Sequence, residues 1–223
     1  EQCNQLAKTA HQTQNLRDAI SLYDRVLNFR RETYGQTDVR CAATLHNLGR
    51  VFIDIRDHKS GESALIEACA LYDAHEPHSL KYADSLGLLA LCYRDMQLMT
   101  EAEAAFKEAI TIYRDNVFNH RDHTWLPEGL QTPDQPNLHP LSTVAHLLSD
   151  AAILFVYQNQ FERACNFLED ALEIRRFLYG KNTKFRPIIA QTLSKLSEVK
   201  RAMGDVQQAS ITINECLDIC IET

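Results

Sequence analysis

The 223-residue chain is short of turn-forming residues, with 7 glycines and 6 prolines, about half the usual share. An all-β sandwich or barrel needs a turn every 8–12 residues or so, and this supply argues against one. A basic excess is also missing. With 23 Lys and Arg against 30 Asp and Glu, the formal charge is −7 and the pI near 5.7. A general nucleic-acid binder, which needs cations for the phosphate backbone, is therefore disfavoured. The longest apolar run, Ala151–Tyr157, is too short to cross a bilayer. No signal-peptide pattern opens the chain, and with no initiator Met it reads as a fragment of a longer protein. The seven cysteines form no CxxC pair and lie in apolar periodic segments, so they read as small hydrophobes. That points to a reducing compartment, and the expected location is cytoplasmic. No GxxxxGK[S/T], GxSxG or HExxH is present, so the chain reads as non-catalytic and without a cofactor.

What is present is apolar residue, 45% of the chain, in a repeating pattern. Leu16–Phe29, Thr100–Ile112 and Phe161–Ile174 share a small residue, a second small or short one seven positions on, and a large apolar one three beyond. The first small position is Ala19, Gly61, Ala102, Ala164 and Ala209. The second is Val26, Ala68, Ala109, Ala171 and Cys216. The third is Phe29, Leu71, Ile112, Ile174 and Ile219. The period is near 42, with about 20 extra residues between the third and fourth copies. Ahead of each segment runs a stripe at i, i+3, i+4 and i+7, the spacing of one helix face. Its members are Leu45, Leu48, Gly49 and Phe52, then Leu86, Leu89, Ala90 and Tyr93, then Leu148, Ala151, Ala152 and Phe155. In the fifth copy Leu193, Leu196 and Ser197 are followed by Lys200, which breaks the stripe. The first copy has Cys3, Leu6, Ala7 and Ala10.

Each unit is therefore a hairpin of two antiparallel helices, A and B. Small residues let the axes approach to about 8–10 Å, and the large one fills the groove beside the crossing. Gly35 and Gly180 follow B helices, as C-terminal cap glycines would, and Pro140 suits a helix first turn.

This pattern resembles the tetratricopeptide repeat (TPR). The long period, Tyr34-Gly35 and Tyr179-Gly180 ahead of helix A, and Thr44-Leu45-His46-Asn47-Leu48-Gly49 within it look like the kinesin-light-chain subtype. The resemblance implies an all-α, right-handed superhelical solenoid of about five helix-turn-helix repeats with one long inter-repeat insertion. The whole of 1–223 would be one solenoid domain, with repeats near 1–35, 36–77, 78–115, 140–181 and 182–223. It also implies a scaffold or adaptor whose concave face, lined by A helices, holds an extended peptide or helix of a protein partner. Gly61 where the pattern has Ala, and Lys200 where it has an aromatic, depart from it.

The insertion, 116–139, holds three of the six prolines, Pro127, Pro133 and Pro136, and the single Trp. It reads either as a disordered surface loop or as an ordered flap in which Trp125 and Leu126 pack on the solenoid or guard its groove. His120, Asp122 and His123 lack a fourth ligand and a fixed scaffold, so no metal site is expected. Cys216 and Cys220 read as core packing or as a labile thiol pair.

On the A helices the face opposite the stripe carries Ala43, His46, Arg50, Ile53 and Asp54. One unit on come Asp84, Gly87, Leu91, Arg94 and Asp95, then His146, Ser149, Ile153, Val156 and Tyr157. The fifth unit offers Gln191, Ser194, Glu198 and Arg201, and the first Asn4, Lys8 and His11. From these His46, Arg50, Asp84, Leu91, Arg94, His146, Ile153 and Tyr157 are candidates for partner binding. So is Asn47, one residue off the stripe, which could hold a ligand backbone or tie adjacent helices. The charges on this face nearly cancel. No nucleic acid or membrane insertion is expected; the alternatives are self-assembly through the solenoid ends, giving a homo-oligomer, or the interaction domain of a larger enzyme whose catalytic part lies outside this fragment.

Overall fold

A computed structural model describes residues 2–117, 126, 139–180 and 183–221. Among them are ten α-helices and no strand: α1 (Gln2–Gln12), α2 (Leu16–Tyr34), α3 (Val39–Asp54), α4 (His58–His75), α5 (Leu80–Asp95), α6 (Met99–Val117), α7 (Pro140–Tyr157), α8 (Phe161–Tyr179), α9 (Arg186–Ala202) and α10 (Val206–Ile221). A 3-10 turn, Thr183–Phe185, precedes α9. The helices form two compact units, Glu1–Ile112 and Tyr113–Thr223. In the first, α1 packs on α2 and α3 on α4, and the hairpins meet through α2–α3, α4–α5 and α3–α5. The Tyr82 hydroxyl of α5 donates to Glu108 of α6 at 2.9 Å. In the second, α7 packs on α8, α9 on α10, and α8 on α9.

Local chemistry sets the boundaries. Asp38, Asp57 and Ser79 accept from the backbone N–H of Arg40, Ser60 and Tyr82, satisfying donors that α3, α4 and α5 leave open. His139 does so for Leu141 at 3.2 Å, with Pro140 in the first turn of α7. Each A helix passes to its B helix through three residues, and each turn has one residue in the left-handed region. In four of them this is Gln14, Arg56, Gln97 and Asn159, and only the last turn uses a glycine, Gly204.

The small positions lie where the repeat puts them. Ala19, Ala102, Ala164, Ala68, Ala109 and Ala171 are fully buried. At the α3–α4 crossing a Cβ on Gly49 would stand 2.4 Å from Leu65 Cγ. One on Gly61 would stand 3.1 Å from Cys92 Sγ on α5, so glycine there makes room for the next hairpin. The cysteines are free thiols, five of them buried. Burial pushes Cys69 and Cys92 up to about 12 and Cys165 up to about 11, so these thiols stay protonated.

Three details depart from the sequence pattern. Phe29 is 61% exposed on α2, beside Gln2, Cys3 and Asn4 of α1; Leu6 is exposed as well. Gly180 is right-handed helical, with φ −57, and its Cβ would meet the Arg176 carbonyl oxygen at 2.5 Å. It answers a close approach, whereas Gly35, at φ 97, answers a left-handed backbone. Lys200 keeps the aromatic's place: its side chain is 16% exposed and its Nζ reaches Glu169 at 2.9 Å, so the stem packs while the charge is paired.

Two substitutions test this packing. Ala171→Leu overfills the fully buried site of Ala171 on α8 and lowers the unfolding free energy by about 1–3 kcal/mol in denaturant titration. Arg56→Gly relieves a left-handed non-glycine backbone and raises it by up to ~1 kcal/mol.

Candidate functional site

In the first unit the A-helix face is only partly open. His46 is half-buried, and its Nδ1 lies 2.9 Å from Ser85 Oγ on α5. The Ser85 hydroxyl donates to the Lys81 carbonyl, so Nδ1–H of His46 donates to Ser85. Burial, then the Arg50 charge, lowers His46 to about 4, so the ring is neutral near pH 7. Asn47 is half-buried beside it, and Arg50 is exposed. Asp84 and Leu91 are half-buried on α5, and Gly87 is buried because α5 packs against α3. Arg94 bonds its own neighbour Asp95 through Nε at 2.9 Å. At the other joint His11 Nε2 meets Asp54 Oδ2 at 2.6 Å. The residues of this face therefore divide between joint contacts, His11, His46, Gly87 and Asp54, and open positions, Arg50 above all.

The second unit carries a cleft of about 280 Å³, lined on three helices. α7 gives Ala152, Ile153, Val156 and Tyr157; α8 gives Phe161 and Leu168; α9 gives Lys195, Glu198, Val199 and Ala202. Tyr157 is 63% exposed while Ile153 and Val156 are half-buried, so the wall is apolar and reachable. α7 is long and apolar enough to cross a membrane, but 61% of its span is buried in the protein, as a core helix would be.

Beside the cleft lies a cationic cluster. Arg175 is 4% exposed; its Nη1 donates to Thr192 Oγ1 on α9 and its Nη2 to His146 Nδ1 at 3.3 Å. A guanidinium has no lone pair, so Nδ1 accepts and the proton of His146 sits on Nε2. Nε of Arg175 is buried without a hydrogen-bond partner among the described residues. Burial, Arg175 and Lys195 together lower the pKa of His146. Burial likewise lowers that of Arg175, with Asp150 opposing.

The structure thus brings Ile153 and Tyr157 together in one cleft, whereas His146 is not among its lining residues. Arg175, Lys195, Phe161, Leu168 and Val199 are additions the A-helix pattern did not single out. The repeat does hold a signal for Arg175: the residue after the third position reads Arg30, Tyr72, Tyr113, Arg175 and Cys220. Arg30 likewise donates to Thr44 of the following A helix, at 2.7 Å. Trp125, with His120, Asp122 and His123, lies outside the described residues, and Leu126 is half-buried. Among the described residues no group of three or more His, Cys, Asp and Glu could hold a metal ion.

Arg175→Lys offers one nitrogen where two contacts are needed, and loses about 1–3 kcal/mol of stability in denaturant titration.

Three tetratricopeptide repeat models match the chain, over residues 2–74, 83–116 and 144–183. No curated protein sequence matches it. Solved structures share its fold. BtubC (BKLC) from P. vanneervenii is 21% identical with a TM-score of 0.79, over 99% of this chain and 79% of that one. The nearly identical TPR-like repeats described as a Podosopora anserina kinesin light chain give 16% and 0.73, over 99% and 94%. The Rap conjugation gene regulator of the plasmid pLS20, solved with the Phr* peptide, gives 15% and 0.63, over 97% and 52%. The hairpins, their small crossings and these matches agree: the chain belongs to the tetratricopeptide repeat family.

Proposed function

We propose that this TPR chain is a non-catalytic cytoplasmic scaffold that holds an extended peptide or helix of a partner protein against its A helices. The observation that carries the reading is the cleft of the second unit. An apolar hollow of about 280 Å³ takes one or two side chains, and the exposed Tyr157 ring gives them an aromatic wall. Lys195, which shares the lining with Glu198, offers a cation to a partner's carboxylate next to its apolar anchor. The pLS20 Rap regulator, which shares the fold at low identity, was solved with a peptide, and that supports the peptide as the ligand class. Arg50 of the first unit is an exposed cation on the A-helix face of that unit.

Self-association is a second reading. Val206, Ile211, Leu217 and Ile221 are exposed on α10, an apolar set that a second copy could cover.

Selection of displayed random 12-residue peptides on the folded protein separates the two. The scaffold reading expects enriched peptides with an apolar anchor beside Asp or Glu. Tyr157→Ala is expected to weaken them tenfold or more, with no change in melting temperature because Tyr157 is exposed. Lys195→Glu is expected to weaken them too. No enrichment, or peptides indifferent to both substitutions, contradicts it. A mass in light scattering that rises with concentration, and falls on Leu217→Glu, would establish self-association.

A further inference from the structure

The C-terminal half of α2 carries two adjacent rows of side chains at i, i+4 spacing, Arg25 and Phe29 in one and Val26, Arg30 and Tyr34 in the other. Gly35, left-handed at φ 97, then turns the chain, and Asp38 caps α3. Arg40 comes back over the Tyr34 ring, its guanidinium carbon 3.3 Å from the ring centroid. With the first residues of α1, these side chains border a cleft of about 710 Å³, against about 280 Å³ for the cleft of the second unit. None of the candidates for partner binding lines it.

The cleft is cationic. Three arginines line it and, among the described residues, no acid does. The nearby carboxylates are already paired, Asp38 with Arg40 and Glu67 with Arg31, which is not one of the lining residues. Arg25 is exposed and forms no hydrogen bond or ion pair with a described residue. Arg30 commits only Nη1, to the Arg40 carbonyl and Thr44 Oγ1, which leaves Nε and Nη2 for a ligand. Arg40 is fixed by its fork on Asp38, at 2.8 and 2.9 Å, and by the Tyr34 ring. In a chain of net charge −7 this is a local excess of positive charge, and guanidinium forks match phosphate oxygens. Phe29, largely exposed, adds an apolar ring on which a flat base can stack. The volume is that of a small-molecule site.

We propose that this cleft is a nucleotide site: the phosphates lie among Arg25, Arg30 and Arg40, and the base lies on Phe29. Because Arg30 already ties α2 to α3, a bound nucleotide also strengthens the joint between the first two hairpins.

Isothermal titration calorimetry of the folded protein with ATP, tripolyphosphate and adenosine tests both halves of the site. The expected order is ATP tightest, tripolyphosphate weaker and adenosine undetected, with affinity falling as salt is raised. This comparison needs no variant. Arg25→Ala is expected to weaken ATP and tripolyphosphate about tenfold or more. Phe29→Ala is expected to weaken ATP about fivefold or more and to leave tripolyphosphate unchanged. Both side chains are exposed, so without ligand the two variants should melt with the wild type. No heat with millimolar ATP, equal affinity for ATP and tripolyphosphate, or affinities indifferent to both substitutions overturns the proposal. So does a glutamate-rich peptide that binds here more tightly than ATP, since the arginines would then serve an acidic protein.

Discussion

Everything in this protein depends on how closely two helices of a hairpin can approach. Gly49 sets the limit at the α3–α4 crossing, where even a methyl group would collide with Leu65. Ala19, Ala102 and Ala164 set it elsewhere, all without exposed surface. Side chains this small give up little apolar area of their own. What they allow is a short interaxial distance, and with it the dense contacts of the Leu, Ile and Tyr residues on either side. Within each unit the main contacts of the described helices are inside a hairpin and with the adjacent helices, so surplus surface lies on the A-helix face and at the joints.

That surplus is spent differently in the two units. In the first, polar side chains of the face turn sideways into joints, as His46 does towards Ser85 and His11 towards Asp54. In the second, Ile153, Val156 and Tyr157 are not consumed by a joint and leave an apolar cleft. The buried Arg175 beside it is held by neutral partners, Thr192 and His146, with Asp150 as the opposing charge. A cation so desolvated projects an attractive field towards acidic groups.

Much of this was legible in the sequence, because a period near 42 repeats the same physical problem five times. The crossings, the A-helix stripes and the membership of Ile153 and Tyr157 in one face all follow from helical spacing. Other features depend on what lies across a contact. His46 occupies the same stripe as Arg50, and only the placement of Ser85, 39 residues away, makes it a joint residue. Lys195 lines the cleft from α9, which an A-helix pattern within α7 does not reach. The left-handed residues Gln14, Arg56, Gln97 and Asn159 carry no glycine to announce them, since three-residue turns impose the conformation. Lys200 breaks the apolar stripe in one dimension but keeps it in three, its stem packed and its charge met by Glu169.

The close crossing is tested most directly by a double-mutant cycle at Gly49 and Leu65, read by denaturant unfolding. Gly49→Ala should destabilise the protein by about 1–3 kcal/mol, the usual range for overpacking. In Gly49→Ala/Leu65→Ala the new methyl group has room, so the pair should be more stable than the sum of the single losses by more than ~0.5 kcal/mol. A wild-type midpoint for Gly49→Ala, or strict additivity of the two changes, would contradict the account.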